Sequence, residues 1–281
     1  MSDRTEQLRT AIEEIATAHN TVAVGVALHD YDSGSRFSLN GDRLFHAAST
    51  IKVAILLAVM KAIDDGKARL GDPVHVRNRF LSVVDRSFYQ LDSTSDGYPQ
   101  LYRSIGRTAP IADLADSMIT SSSNLATNLL LDFVGTERAA EVLREAGVEG
   151  VHVRRGVEDD LAHEQGINNE TTAKGLVQLF AVLRGDYLTK KSREHAIHIL
   201  LQQRFTSMIP AGLPSHATVA HKTGEISTAC HDAGIVYLPE REPYVVAILT
   251  EVDSGKGDTR RETVAKISEA VYKAVTGKLA K

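Results

Sequence analysis

Residues 49–63 read Ser49-Thr50-Ile51-Lys52-Val53-Ala54-Ile55-Leu56-Leu57-Ala58-Val59-Met60-Lys61-Ala62-Ile63. From Ile51 to Ile63 the segment is apolar almost all round, which predicts a helix enclosed within a domain rather than one laid on a surface. Its unbroken apolar run, Val53 to Met60, is eight residues long, far short of the ~20 that cross a bilayer. The segment therefore reads as a core helix around which the rest of the chain must be wrapped.

Working outward, the chain changes character on either side. Towards the N-terminus, residues 4–18 place Leu8, Ala11, Ile12 and Ile15 at helical spacing, and residues 21–29 read as a strand. A turn at Asp32-Ser33-Gly34-Ser35 then leads to a hairpin partner over 36–39. On the C-terminal side, helical spacing recurs over 111–117, 125–133, 137–146, 173–183 and 191–201, with loops at 92–99 and 157–169. Strand patterns return over 218–222, 231–237 and 244–250, and a helix over 261–275 closes the chain. The fold class expected is α/β (α+β): one antiparallel sheet built from both chain ends and packed with helices, plus an inserted all-helical lobe. The boundaries expected are 1–46 with 202–281 for the sheet lobe and 47–201 for the helical lobe. The cleft between lobes is the expected place for a site.

Composition narrows the function. The chain has 281 residues, 43% hydrophobic and 24% charged, an ordinary globular mix. Its formal net charge is -4 and no basic run is present, which argues against a nucleic-acid partner. No membrane partner is expected either. Asp3, Arg4, Glu6, Arg9, Glu13 and Glu14 make the first twenty residues too polar for the apolar core of a secretion signal, so a cytoplasmic location is expected. The lone Cys230 cannot form an intramolecular disulfide, in keeping with that. A monomer or weak dimer is expected.

Three short motifs carry chemistry. Ser49 stands at the start of the apolar helix with Lys52 one turn on, on the same face. Ser49 could be an N-cap, but that leaves Lys52 unexplained, since a charged amine in a buried helix costs several kcal/mol unless paired or neutralised. Desolvation would depress its pKa and make it a base for the neighbouring hydroxyl. Ser122-Ser123-Asn124 precedes the helix over 125–133, where capping is the plain alternative. His221-Lys222-Thr223-Gly224 ends a predicted strand, and a solvated lysine before a turn glycine is its plain alternative.

Taken together and in this order, Ser-x-x-Lys, Ser-x-Asn and Lys-Thr-Gly resemble the motif set of the penicillin-recognising serine hydrolases, the family of class A beta-lactamases and penicillin-binding proteins. The likeness spans nearly the whole chain. It implies the beta-lactamase/DD-peptidase-like fold and hydrolysis of beta-lactam or related amide bonds through an acyl-Ser49 intermediate. By this resemblance Lys52 helps remove the Ser49 proton, Ser122 passes a proton to the leaving nitrogen with help from Lys222, and Asn124 binds the substrate's amide side chain. Lys222 and Thr223 bind the substrate carboxylate, and Gly224 completes the Lys-Thr-Gly motif. The backbone N–H groups of Ser49 and Glu225 form the oxyanion hole, with the Glu225 side chain narrowing the cleft rim. Arg204 is the candidate for an extra cation near the substrate carboxylate. The resemblance implies a small-molecule substrate and no metal or organic cofactor.

Two positions depart from the class A pattern. Glu158 and Leu161 match the start of the Glu-x-x-Leu-Asn loop motif that holds the hydrolytic water, but Ala162 stands where Asn is expected. Asp159, Asp160 and Glu164 compete with Glu158 for the role of deacylation base. Ser123 stands where the family has Asp. These changes keep two other outcomes in view: an esterase or peptidase acting on a non-antibiotic substrate, and a penicillin-binding sensor that acylates without turnover. His221 and His231 flank the cleft strand and could line it, His163 could help activate water, and Cys230 reads as a small buried strand residue.

Overall fold

A computed structural model describes residues 2–253 and 259–278. The two chain ends meet in one five-stranded antiparallel sheet. Its strands in chain order are β1 (Thr21–Asp30), β2 (Arg36–Leu39), β3 (Thr218–Ile226), β4 (Ala229–Tyr237) and β5 (Tyr244–Val252). Across the sheet the order is β3-β4-β5-β1-β2, with Val26 opposite Ile248 and Ala27 opposite Ala247 where the N- and C-terminal parts join.

Strand alternation sends two different sets of side chains to the two faces. Val24, Val26, Val246 and Ile248 pack with Leu8 and Ile12 of helix α1 (Ser2–Ala18) and with Val264 and Ile267 of the last helix, Arg260–Val275. Ala23, Ala27, Ala233 and Ala247 face the other way, into the core shared with the remaining helices. Because both faces are covered, the central strands are buried at nearly every position, so β5 reads as an apolar run over Tyr244–Leu249 and β4 buries His231 and Asp232 along with its apolar residues. Alanine on the inner face lets those helices approach closely.

Helix α2 (Lys52–Asp64) is the axis of that second core, with ten of its 13 residues buried. Around it lie α3 (Ile111–Thr120), α4 (Asn124–Val134) and α5 (Thr136–Glu145). The short α6 (Asp160–Glu164) sits in the loop that follows. Next, α7 (Ala173–Arg184) packs on β1 and β5, and α8 (Lys190–Leu201) packs on β3 as well as on α2. The closing helix is α9 (Arg260–Val275). Among the described residues no helix is long and apolar enough to cross a membrane.

The structure departs from the expected elements in local ways. Strand β3 does not stop at Lys222 but continues to Ile226, because Thr223, Gly224 and Glu225 pair with Asp232, His231 and Cys230. Cross-strand pairing overrides the polar, glycine-containing sequence there. A small three-stranded sheet, ordered Phe45–His46, Glu170–Thr171, Val151–His152, joins segments too short to show a period. Ser49 lies in a 3-10 turn, Ala48–Ile51, that precedes α2; Ala47 and Ile51 occupy the two cap positions, so the Ser49 side chain caps neither helix.

Candidate active site

The 3-10 turn carrying Ser49 rests against strand β3. A Cβ built on Gly224 would lie 3.1 Å from the Ser49 nitrogen and 3.0 Å from the Thr50 nitrogen. A side chain there would press on the Ser49 turn, so glycine lets the strand backbone approach it closely. Ser49 is half-buried and opens into a cleft of about 390 Å³, whose walls include Ser122, Asn124, Phe205, Thr223 and Glu225. A larger hollow of about 480 Å³ lies elsewhere, walled by Arg184, Arg193, Ile197, His198 and Tyr237. It holds no nucleophile beside a base, so volume does not decide the site.

Lys52 is fully buried. Its Nζ lies 2.7 Å from the Ser122 carbonyl oxygen, 3.1 Å from Ser122 Oγ and 2.7 Å from Asn124 Oδ1. Burial pushes the amine down from its ordinary value to about 7, with the Asp96 and Glu158 charges pulling the other way. Lys222, also fully buried, places its Nζ 3.1 Å from the same Ser122 Oγ and donates to the Thr223 carbonyl at 2.8 Å. Burial first, and the Lys52 charge second, hold it well below the usual lysine range, against the pull of Asp232. One hydroxyl thus bridges two amines. It has one proton to donate and lone pairs to accept with, so Ser122 can pass a proton between the lysines.

The network continues through Asn124. Its Oδ1 accepts from Lys52 and its Nδ2 donates to Glu158 Oε1 at 2.6 Å, while Ser95 Oγ reaches the same carboxylate oxygen at 3.4 Å. A chain of hydrogen-bonding groups therefore runs Lys222, Ser122, Lys52, Asn124, Glu158. Ala48, Ser122 and Glu158 all adopt left-handed backbone, with φ of 46°, 61° and 58°. Such conformations cost about 1–3 kcal/mol each and persist where the surroundings over-determine them. They sit at the residue before Ser49 and at two members of the network.

The chain matches the beta-lactamase enzyme family over residues 7–275. The chain belongs to that family. Beta-lactamase ROB-1 of Haemophilus influenzae is 30% identical over 256 residues, covering 89% of this chain and 78% of the relative. Among solved structures, a mutant of PBP-A in an acyl-enzyme complex with penicillin G superposes with a TM-score of 0.82 at 28% identity, covering 97% of each chain. An ancestral class A beta-lactamase superposes with a TM-score of 0.82 at 27% identity, covering 95% of this chain and 99% of its own. The class A beta-lactamase fold expected from the motifs is the fold observed.

Arg204 is exposed, its backbone N–H is bonded to the Thr120 carbonyl, and it is not among the cleft residues. The arginine that lines the cleft is Arg261, brought there from the start of α9. His221 and His231 are buried rather than lining the cleft: His221 Nδ1 lies 2.9 Å from Asp232 Oδ1, and His231 Nε2 lies 2.9 Å from the His46 carbonyl oxygen. Burial lowers the His231 pKa to about 4, so this ring is neutral at pH 7. His163 is exposed, with Nδ1 3.0 Å from Asn168 Oδ1. Cys230 is buried and its thiol is pushed up to about 12, which makes it inert as a nucleophile.

The acidic loop sorts itself by its bonds. Asp159 is committed to structure, with its carboxylate accepting from Ser82 Oγ, the Val83 nitrogen and the Ala162 nitrogen. Asp160 and Glu164 are exposed. Glu158 alone of the four bonds into the lysine network. Ala162 is fully buried and has no polar side chain to offer a water. Asn128 on α4 holds the loop in register: its Oδ1 accepts from the Val157 nitrogen at 2.8 Å and its Nδ2 donates to the Val157 carbonyl at 3.0 Å.

Asp96 is a residue that sequence reading passed over inside a spacer loop. Its Oδ2 accepts from the backbone nitrogens of Asn124 at 2.9 Å and Leu125 at 2.8 Å, and its Oδ1 from that of Tyr98 at 2.7 Å. It supplies a carboxylate at the N-terminus of α4, where the neighbouring Ser123 uses its own hydroxyl to accept from the Ala126 nitrogen. Gly97 makes the approach feasible, since a Cβ there would lie 1.8 Å from the Ser121 carbonyl oxygen. The available signal was an Asp-Gly pair, which marks only a turn. Asp96→Ala is expected to lower unfolding free energy by about 3 kcal/mol, because it strands buried N–H donors that bond a charged acceptor. Denaturant melts of Asp96→Ala beside Asp96→Asn test this, with a smaller loss expected for Asn.

Proposed function

We propose that this chain hydrolyses the cyclic amide of beta-lactams by way of an ester on Ser49. The observation that carries the reading is the Ser122 hydroxyl held between two buried amines at the mouth of the cleft that contains Ser49. The Ser49 oxygen attacks the lactam carbonyl carbon and its proton passes to the Lys52 amine, directly or through Ser122. The oxyanion that forms is met by the backbone N–H groups of Ser49 and Glu225, where preorganised donors contribute a few kcal/mol. Collapse breaks the C–N bond, and the leaving nitrogen takes a proton from Ser122, which regains one from Lys52 while Lys222 holds the same hydroxyl, so the proton lost by Ser49 ends on the nitrogen. Water then attacks the ester carbonyl and gives a proton to Glu158; the C–O bond breaks and that proton returns to the Ser49 oxygen, leaving Glu158 ionised again. Asn124 retains one Nδ2 hydrogen beyond its bond to Glu158, which suits it to the substrate's amide oxygen.

The pH dependence follows from which form of Lys52 works. Only the neutral amine accepts a proton, and burial places its pKa at about 7. Acylation is therefore expected to fall about tenfold per pH unit below pH 7 and to level off above it. Rapid-mixing hydrolysis of a chromogenic cephalosporin between pH 5 and 9 tests both the activity and its slope. Turnover with that profile supports the reading. A stoichiometric burst with no turnover identifies a penicillin-binding sensor, and hydrolysis of p-nitrophenyl esters without action on the cephalosporin identifies an esterase.

A further inference from the structure

A loop that takes no part in the acid–base chemistry brings an aromatic ring to the cleft. Phe205 is 44% exposed and lines the cleft together with Ser49, Ser122 and Asn124. Its loop, residues 203–209, is fastened at both ends. Gln203 is buried; its Nε2 donates to the Ile119 carbonyl at 2.8 Å and its Oε1 accepts from the Phe205 nitrogen at 3.2 Å. The Arg204 nitrogen donates to the Thr120 carbonyl at 3.1 Å. Both carbonyls belong to the last turn of α3, beyond the reach of intrahelical donors, so the loop completes the end of that helix. At its far end the Ile209 nitrogen donates to the buried Asp232 carboxylate at 3.0 Å.

We infer that Phe205 is a specificity residue, its ring an apolar platform for an aromatic substituent on the ring that contains the leaving nitrogen of a lactam. This inference rests on the proposed lactam hydrolysis and names a preference within its substrate class. Placement decides which substituent is meant. The clamp fixes the Phe205 loop to Thr120, two residues before Ser122, and the Ser122 hydroxyl is the group that protonates the leaving nitrogen. A substituent on the ring of that nitrogen is therefore carried to the Phe205 side of the cleft, whereas the amide side chain of the substrate goes to Asn124. Chemistry decides the class of the substituent. A half-exposed phenyl ring gains from being covered by apolar surface, and two aromatic rings gain further from offset or edge contact. Because the loop is already fastened to α3 and to Asp232, covering the ring costs little conformational freedom.

The experiment uses two cephalosporins that share a thienylacetyl amide side chain and differ at position 3 of the ring holding the leaving nitrogen, one bearing a dinitrostyryl group and the other an acetoxymethyl group. The second-order rate constant is read for each and the ratio of aryl to acetoxymethyl compound taken, so that their difference in intrinsic reactivity cancels between variants. In Phe205→Ala the ratio is expected to fall about tenfold from that of the unaltered protein, while in Phe205→Tyr, which keeps the ring, it stays within about twofold. Phe205→Leu, apolar but not aromatic, carries the test if the alanine variant does not fold, with a smaller fall expected. A ratio that is unchanged or raised on loss of the ring, or that falls as far in Phe205→Tyr as in Phe205→Ala, overturns the inference while leaving lactam hydrolysis intact. Failure of the unaltered protein to react with either compound overturns the functional reading itself, and the inference with it.

Discussion

Ser49→Ala is expected to abolish covalent labelling by benzylpenicillin in intact-mass spectra and to lower its hydrolysis by about 10⁴-fold or more. Removing the Oγ removes the atom that forms the ester, while the backbone N–H assigned to the oxyanion hole stays in place. Folding gives an independent control. Because Ser49 caps neither the 3-10 turn nor α2, its hydroxyl has no structural partner to lose. The change in unfolding free energy is expected to stay within about 0.5 kcal/mol. A variant that keeps its stability and loses the label places the nucleophile at Ser49. A label that persists places it elsewhere.

Glu158→Gln is expected to separate the two halves of the cycle. Release of the acyl group should slow by about 10²- to 10⁴-fold, the range for loss of a positioned general base, and the acyl-enzyme should accumulate. Formation should change far less. Glutamine keeps an oxygen that can accept from Asn124 Nδ2, so the bridge to Lys52 survives. It also deletes a charge that raises the Lys52 pKa, which favours the neutral amine needed for attack. Time-resolved mass spectrometry reads both rates. Equal slowing of formation and release, or no effect on either, removes Glu158 from the proposed mechanism.

Much of the fold was legible because its long elements carry long periods. The helix over 51–63 and the strand over 21–29 were bounded to within one residue, and each hydrophobic run belongs to an element buried on several sides. Three motifs single out Ser49, Lys52, Ser122, Asn124 and Thr223, with Glu225 next after the last of them, and the structure brings these segments to one cleft. What escaped was set by contacts across the chain. Asp96 acts through backbone donors on a helix that begins 28 residues later, which no local pattern encodes. Arg261 lines the cleft in place of Arg204, and nothing local in the sequence says where the start of α9 lands. Asn124 was read as a substrate contact alone, whereas both ends of its amide are engaged by Lys52 and Glu158, a bridge visible only once three segments are placed together.

The mechanism depends on a buried amine that gives up its charge near neutral pH. Lysine labelled with carbon-13 at the ε position, followed by NMR from pH 5 to 11 and assigned by the signal lost in Lys52→Met, measures this directly. The account predicts that the Lys52 resonance titrates at about 7, moved down chiefly by its removal from water. A Lys52 resonance that titrates near the ordinary lysine value of about 10.4 would contradict it, because the amine would then be charged when Ser49 has to lose its proton.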